Sequence, residues 1–271
     1  MLVTLTLSLL FTTVQIGNTA QATTDPIPLQ GVEIQEYQGK DLSSINDFYE
    51  NSINGPQYID TATYNLTVFG LVQNNLTLTY NQILGSFQAY KKVVTLYCVE
   101  GWDVTILWEG ILLKDILAQT PISPQANTLI FYAQDGYTTA LPLDYIVDNN
   151  IMIAYKMNNV TLPAERGYPF ELVAESQAGY KWIRWITQIE VSSNQDYLGY
   201  WESRGWTNNA YVSGPITPDQ NGVFLLRPAP QPGSGAPEIP EFASWTIIPI
   251  IATSTVVLLQ FRKKLNKKAT R

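Results

Sequence analysis

Cys98 is the only thiol in a chain of 271 residues that contains no histidine. Those two facts remove most of the chemistry a protein can carry. Ser-His-Asp and Cys-His nucleophilic catalysis, His-ligated zinc or copper, and a His-held haem all need an imidazole. Disulfides within the chain, Cys-rich zinc sites and thiolate-held iron–sulfur clusters all need a second cysteine. What remains is a single soft thiolate, together with carboxylates, tyrosines and a small set of bases. Position alone leaves two readings of Cys98. After Val93-Val94-Thr95-Leu96-Tyr97 it reads as a small residue in a core, or as one soft metal ligand at the end of a strand.

The bases are few and unevenly placed. All 23 acids precede residue 242, and six of the 16 bases fall in the last ten residues. The body therefore holds ten bases against 23 acids, a net of −13. A surface that acidic repels phosphate backbones, so no nucleic-acid partner is expected. Charged residues make up 14% of the chain and apolar residues 45%, which supports a sizeable core. Seven Trp and sixteen Tyr point to a β-rich body with polar-tipped aromatics.

Around Cys98 the pattern alternates short strands with helices of one or two turns. Tyr64 to Val68 alternates and pairs with Leu76 to Leu78 across an Asn74-Asn75 turn. Thr79 is the expected N-cap of a helix through Leu84. Val93 to Val99 is a strand, Trp108-Glu109-Gly110 a turn and Leu112 to Ala118 helical. Leu129 to Tyr132, Ile151 to Tyr155 and Phe170 to Val173 are strands. Asp135-Gly136 is a turn and Leu143 to Val147 a short helix. Tyr180 to Val191 reads as one long strand, and Leu42 to Tyr49 as a short helix with Ser43, Ser44 and Asn46 as cap candidates. The expected class is α+β, with a β-rich mixed sheet core and one C-terminal transmembrane helix.

The ends read as targeting and anchoring segments. Residues 1–22 resemble a secretory signal peptide, with an uncharged Leu2 to Val14 run and Ala20-Gln21-Ala22 as cleavage site. Residues 23–57 form an N-terminal extension and 58–227 the main domain. Residues 228–244 make a linker with five prolines between Pro228 and Pro240. Residues 245–261 carry no charge and six bases follow, the pattern of a span with a cytoplasmic tail at 262–271. The expected location is a single-pass cell-membrane protein with its body outside. Pro237-Glu238-Ile239-Pro240-Glu241-Phe242 resembles an archaeal C-terminal sorting signal. The sequons at Asn65, Asn75 and Asn159 agree with an external, glycosylated body.

Four motifs in order carry a family resemblance. They are Tyr97-Cys98-Val99-Glu100-Gly101-Trp102 with Trp108-Glu109-Gly110 and Leu112-Leu113; Ala133-Gln134-Asp135-Gly136-Tyr137-Thr138-Thr139 with Leu141-Pro142-Leu143; Leu162-Pro163 with Gly167-Tyr168-Pro169; and Gly179-Tyr180-Lys181-Trp182 with Arg184-Trp185. Together they resemble the molybdopterin-binding domain of the sulfite oxidase family over residues 60–191. The resemblance implies that Cys98 ligates molybdenum and is the catalytic ligand. It implies that Arg166, Lys181, Trp182, Ile183 and Arg184 surround the phosphate of the pterin. Glu171 stands where the family carries a base, a charge reversal beside a phosphate. Tyr137 and Tyr168 lie near the motifs as substrate-side candidates, and Trp102 and Trp108 as pocket wall. The implied function is oxygen-atom transfer to or from a small molecule, with a separate electron-transfer partner because no haem-attachment motif is present. The alternative is a cofactor-free derivative of the domain serving as an envelope binding module.

Overall fold

The computed structural model describes residues 30–216. The signal-like start, the linker, the span and the basic tail lie outside the described residues. Among those described, no helix is long and apolar enough to cross a membrane.

The elements follow in chain order. A two-residue ribbon pairs β1 (Glu36–Tyr37) with β2 (Lys40–Asp41). Next come β3 (Asn65–Gly70), β4 (Leu76–Thr79) and α1 (Tyr80–Ser86). The long hairpin β5 (Ala89–Tyr97) and β6 (Asp103–Leu112) leads into α2 (Leu113–Leu117). Then come β7 (Thr128–Ala133), β8 (Thr138–Pro142) and α3 (Leu143–Asp148). The last strands are β9 (Met152–Met157), β10 (Val160–Thr161), β11 (Glu171–Val173) and β12 (Ile186–Ser192).

Two five-stranded sheets result. One runs β4-β3-β12-β7-β8, and its β3–β12 pair is parallel. The other runs β10-β9-β6-β5, with β11 also paired to β9. Both feed a single hydrophobic core. Leu66, Val68, Phe131 and Ile189 enter it from the first sheet, and Ile106, Trp108, Ile153 and Leu172 from the second. The expected β-rich mixed-sheet class is therefore what the chain adopts.

Local chemistry sets α1 as read from the sequence. Thr79 caps the helix by accepting from the Gln82 N–H at 3.2 Å, and the Gln82 side chain accepts from the Thr79 N–H at 2.8 Å. Three other readings are corrected. Leu42 to Tyr49 is not a helix, because its polar side chains bond to backbone instead. Ser43 Oγ accepts from the Thr105 N–H, Ser44 Oγ from the Asn46 N–H, and Asp47 from the Ser44 N–H. This segment also belongs to the body: Ile45 and Phe48 are buried in the core. Tyr180 to Val191 is not one strand. A 3-10 turn occupies Gly179–Lys181, Trp185 takes a left-handed φ of 53°, and pairing starts at Ile186.

Trp108-Glu109-Gly110 is the third correction. It lies inside β6 at a register shift against β9, between Glu109 and Gly110. Glycine marks close approach here, since a Cβ on Gly110 would fall 2.2 Å from the Ile153 carbonyl oxygen. Gly110→Val should push β6 off β9 and cost about 3 kcal/mol or more of stability in urea unfolding. An unchanged unfolding midpoint would show that the bulge tolerates a side chain.

Candidate functional site

Cys98 follows directly on β5. Its N–H donates to the Trp102 carbonyl at 2.9 Å, and the Gly101 N–H returns to the Cys98 carbonyl at 3.1 Å. The thiol is thereby held on a tight loop at the end of the long hairpin, 7% exposed. Burial pushes the thiol up to about 11; the Glu100 backbone N–H and the charge of Arg184 oppose the rise, and the Glu100 carboxylate adds to it. Alone it stays protonated at neutral pH, and a coordinated cation would deprotonate it. The Asn51 amide approaches the sulfur at 3.9 Å and donates to Glu100 at 2.9 Å. Trp102 Nε1 donates to the same Glu100 carboxylate at 3.1 Å.

A parallel bridge between Tyr97 and Ala178 sets the 178–185 segment beside this loop. Arg184 sits on it, its side chain 11% exposed. Its Nη1 lies 3.5 Å from Glu50, and its Nε 3.5 Å from Glu171 Oε1. Arg166 comes from the 3-10 turn Ala164–Arg166. Its guanidinium lies over the Phe48 ring at 4.7 Å, and its Nη2 donates to the Phe48 carbonyl at 3.0 Å. Its Nη1 is buried with no hydrogen-bond partner. Burial and the charge of Arg184 pull Arg166 down to about 10. Arg184 is thus in electrostatic reach of both Cys98 and Arg166.

The side chains of the other three expected residues are engaged elsewhere. Lys181 is fully buried, and its Nζ is spent on Glu202 at 2.5 Å, Asn208 at 2.9 Å and the Ala140 carbonyl at 3.1 Å. An ammonium has three donors, so none is left for a phosphate. Trp182 packs on Trp108 and donates to the Gln177 carbonyl at 3.0 Å. Ile183 is wholly within the core. Among the aromatic candidates, Tyr137 donates to the Tyr180 carbonyl at 2.5 Å, and Tyr168 is packed against Tyr80. Trp108 is a core residue, while Trp102 lies over Phe48 and Tyr49 at the thiol loop. Sequence reasoning missed Glu50 and Asn51. Both precede the expected domain, and no local signal marks them.

Two β-sheets around a shared core thus carry one thiol at a hairpin end, with the Arg184 guanidinium in electrostatic reach of it. Residues 53–201 match the model of the oxidoreductase molybdopterin binding domain, and the chain belongs to that family. It is 30% identical over 152 residues to the uncharacterized oxidoreductase YuiH of Bacillus subtilis, covering 56% of this chain and 76% of YuiH. It is 25% identical over 202 residues to the protein-methionine-sulfoxide reductase catalytic subunit MsrP of Gluconobacter oxydans, covering 66% of this chain and 64% of MsrP. Among solved structures, the sulfane dehydrogenase SoxCD of Paracoccus pantotrophus shares the fold. Its TM-score is 0.51 at 19% identity, over 63% of this chain and 46% of that one.

The family's cofactor is molybdopterin, and the residues present fit it. The soft thiol suits the metal. The buried, unpartnered Nη1 of Arg166 calls for an acceptor such as a phosphate oxygen. Lys181 belongs to the structural side of this division. Lys181→Met alone should cost about 3–5 kcal/mol, because Glu202 keeps a buried charge without a partner. Lys181→Met with Glu202→Leu should recover most of that loss in thermal unfolding. A single substitution that leaves stability untouched would show that the pair is not structural.

Proposed function

We propose that the chain is a membrane-anchored molybdopterin-dependent oxidoreductase with its body outside the cell, moving an oxygen atom to or from a small substrate. The observation that carries this reading is the placement of the chain's only thiol, Cys98, on a rigid loop within reach of Arg184. When bound, molybdopterin supplies two-electron metal chemistry coupled to oxygen-atom transfer. Cys98 Sγ would hold the metal, and Arg166 and Arg184 the phosphate. The Asn51 amide approaches the sulfur and bonds the Glu100 carboxylate, linking the two. The cysteine count leaves no second redox centre of the iron–sulfur type, so electrons come from a separate protein.

A sulfoxide is the substrate class we favour, given the similarity to a subunit named as a protein-methionine-sulfoxide reductase. Reduction of a sulfoxide consumes two electrons and two protons and releases water, so the atoms balance with an external electron donor. The membrane anchoring rests on the uncharged run 245–261 with six bases behind it, and the external body on the signal-like start.

Protein from a host that makes the cofactor should carry close to one molybdenum per chain and a sulfur-to-metal charge-transfer band. Cys98→Ser should lose the band and the sulfoxide reduction while its melting temperature changes little, since the side chains are nearly isosteric and a hard alkoxide replaces a soft ligand poorly. Metal-free wild-type protein from such a host would overturn the enzyme reading in favour of a cofactor-free binding module. For topology, protease added to intact cells should digest the body and spare a tag placed after Arg271. A protected body would place it inside.

A further inference from the structure

Glu171 is a fully buried carboxyl whose two oxygens receive no hydrogen bond. Arg184 Nε is the nearest base, 3.5 Å from Oε1. Arg166 adds a second charge nearby and leaves its own buried Nη1 unpartnered. Gly167, at φ 92°, lets these residues meet. A Cβ there would lie 3.0 Å from the Cβ atoms of both Glu171 and Arg184. Three polar atoms on two neighbouring buried side chains thus have hydrogen-bonding capacity that the fold leaves unfilled.

The charges decide which group it takes. Two guanidiniums favour an oxyanion, and an ionised Glu171 opposes one. A neutral Glu171 changes sign in its effect, because its hydroxyl becomes a donor to the anion. With Glu171 neutral, its group with Arg166 and Arg184 carries two positive charges, against about two negative charges on a phosphate monoester. We propose that Glu171 binds the anionic group of the cofactor as a neutral carboxylic acid, making anion binding in this pocket proton-dependent. The proposal rests on the assignment of Arg166 and Arg184 to the cofactor's phosphate.

Burial pushes Glu171 up to about 7, outweighing the pull of Arg184 and Arg166. Its proton is therefore exchanged near neutrality. The other charged groups bearing on this cluster are Glu50 and Asp135 around Arg184 and Glu165 around Arg166. Below the Glu171 midpoint the carboxyl is neutral and the pocket accepts an anion. Above it, each bound anion must bring a proton with it, so affinity falls.

The test uses full-length protein from a host that makes no molybdopterin, with inorganic sulfate as a probe whose charge does not change over this range. Wild-type affinity for sulfate should fall by about tenfold for each pH unit above neutrality, with uptake of about one proton on binding. Glu171→Gln should bind sulfate equally at both ends of the range, since its amide is a permanent donor. Calorimetry in buffers of different ionisation enthalpy measures the proton uptake on the wild type alone, so the result stands even where the variant does not fold. Sulfate affinity independent of pH, binding without proton uptake, or a Glu171→Gln variant that keeps the wild-type pH dependence would each overturn the proposal. Absent molybdenum in protein from a cofactor-making host, with proton-linked sulfate binding intact, would sink the enzyme reading alone.

Discussion

Irregular backbone can be buried only where its carbonyls find donors, and the stretch from Pro163 to Trp185, which carries Arg166 and Arg184, is largely buried and irregular. Sheet pairing within it is limited to Glu171–Val173 and to isolated bridges at Gln177 and Ala178. Much of the remainder is satisfied by the polar tips of aromatic side chains. Trp185 Nε1 donates to the Ala164 carbonyl at 2.8 Å, and Trp182 Nε1 to that of Gln177. Tyr145 serves Glu175, and Tyr137 serves Tyr180. Tyr64 caps the exit by donating to the Ile186 carbonyl at 2.6 Å. The aromatic content is thus a hydrogen-bonding resource as well as core mass, because Tyr and Trp bring an apolar body and one donor together.

This scaffold holds two buried charge systems that differ in completeness. Around Lys181 every donor is used and the Thr139 hydroxyl donates to Glu202 at 2.8 Å, which leaves only Glu202 Oε2 without a partner. That network ties the turn Glu202–Arg204 to β8 and the Gly179–Lys181 turn. Around Glu171 the partners are left over: one guanidinium nitrogen and two carboxyl oxygens lack hydrogen bonds. A nearly saturated buried network fixes a structure, whereas one with several open donors and acceptors keeps the capacity to take a further partner. The two families of contacts thus set Lys181 apart from Arg166 and Arg184 within the 163–185 segment.

The thiol depends on both. Its loop is closed by its own backbone bonds to Trp102 and Gly101. Its neighbours Asn51 and Glu50 arrive from the N-terminal segment, which Arg166 holds in place through the carbonyls of Ile45 and Phe48. Arg166 is therefore a strut for the chain that brings Asn51 to the sulfur, with one guanidinium nitrogen left open.

Sequence alone determined what rests on residue type and short range. The single thiol and absent histidines bounded the chemistry. The motifs around Cys98, Arg166 and Arg184 led to the family, and Thr79 with Gln82 fixed the start of α1, a contact three residues apart. Most strands were legible from their alternation. Tertiary structure decided the rest, because it turns on partners distant in the chain. Gly110 looked like a turn until the backbone of Ile153 came against it. Lys181 and Arg184, three residues apart on one motif, were equivalent bases in sequence. Folding sends the first to Glu202 and the second to Glu50 and Glu171, since burial in a medium that solvates charge poorly leaves each base only the acid that the fold brings within reach.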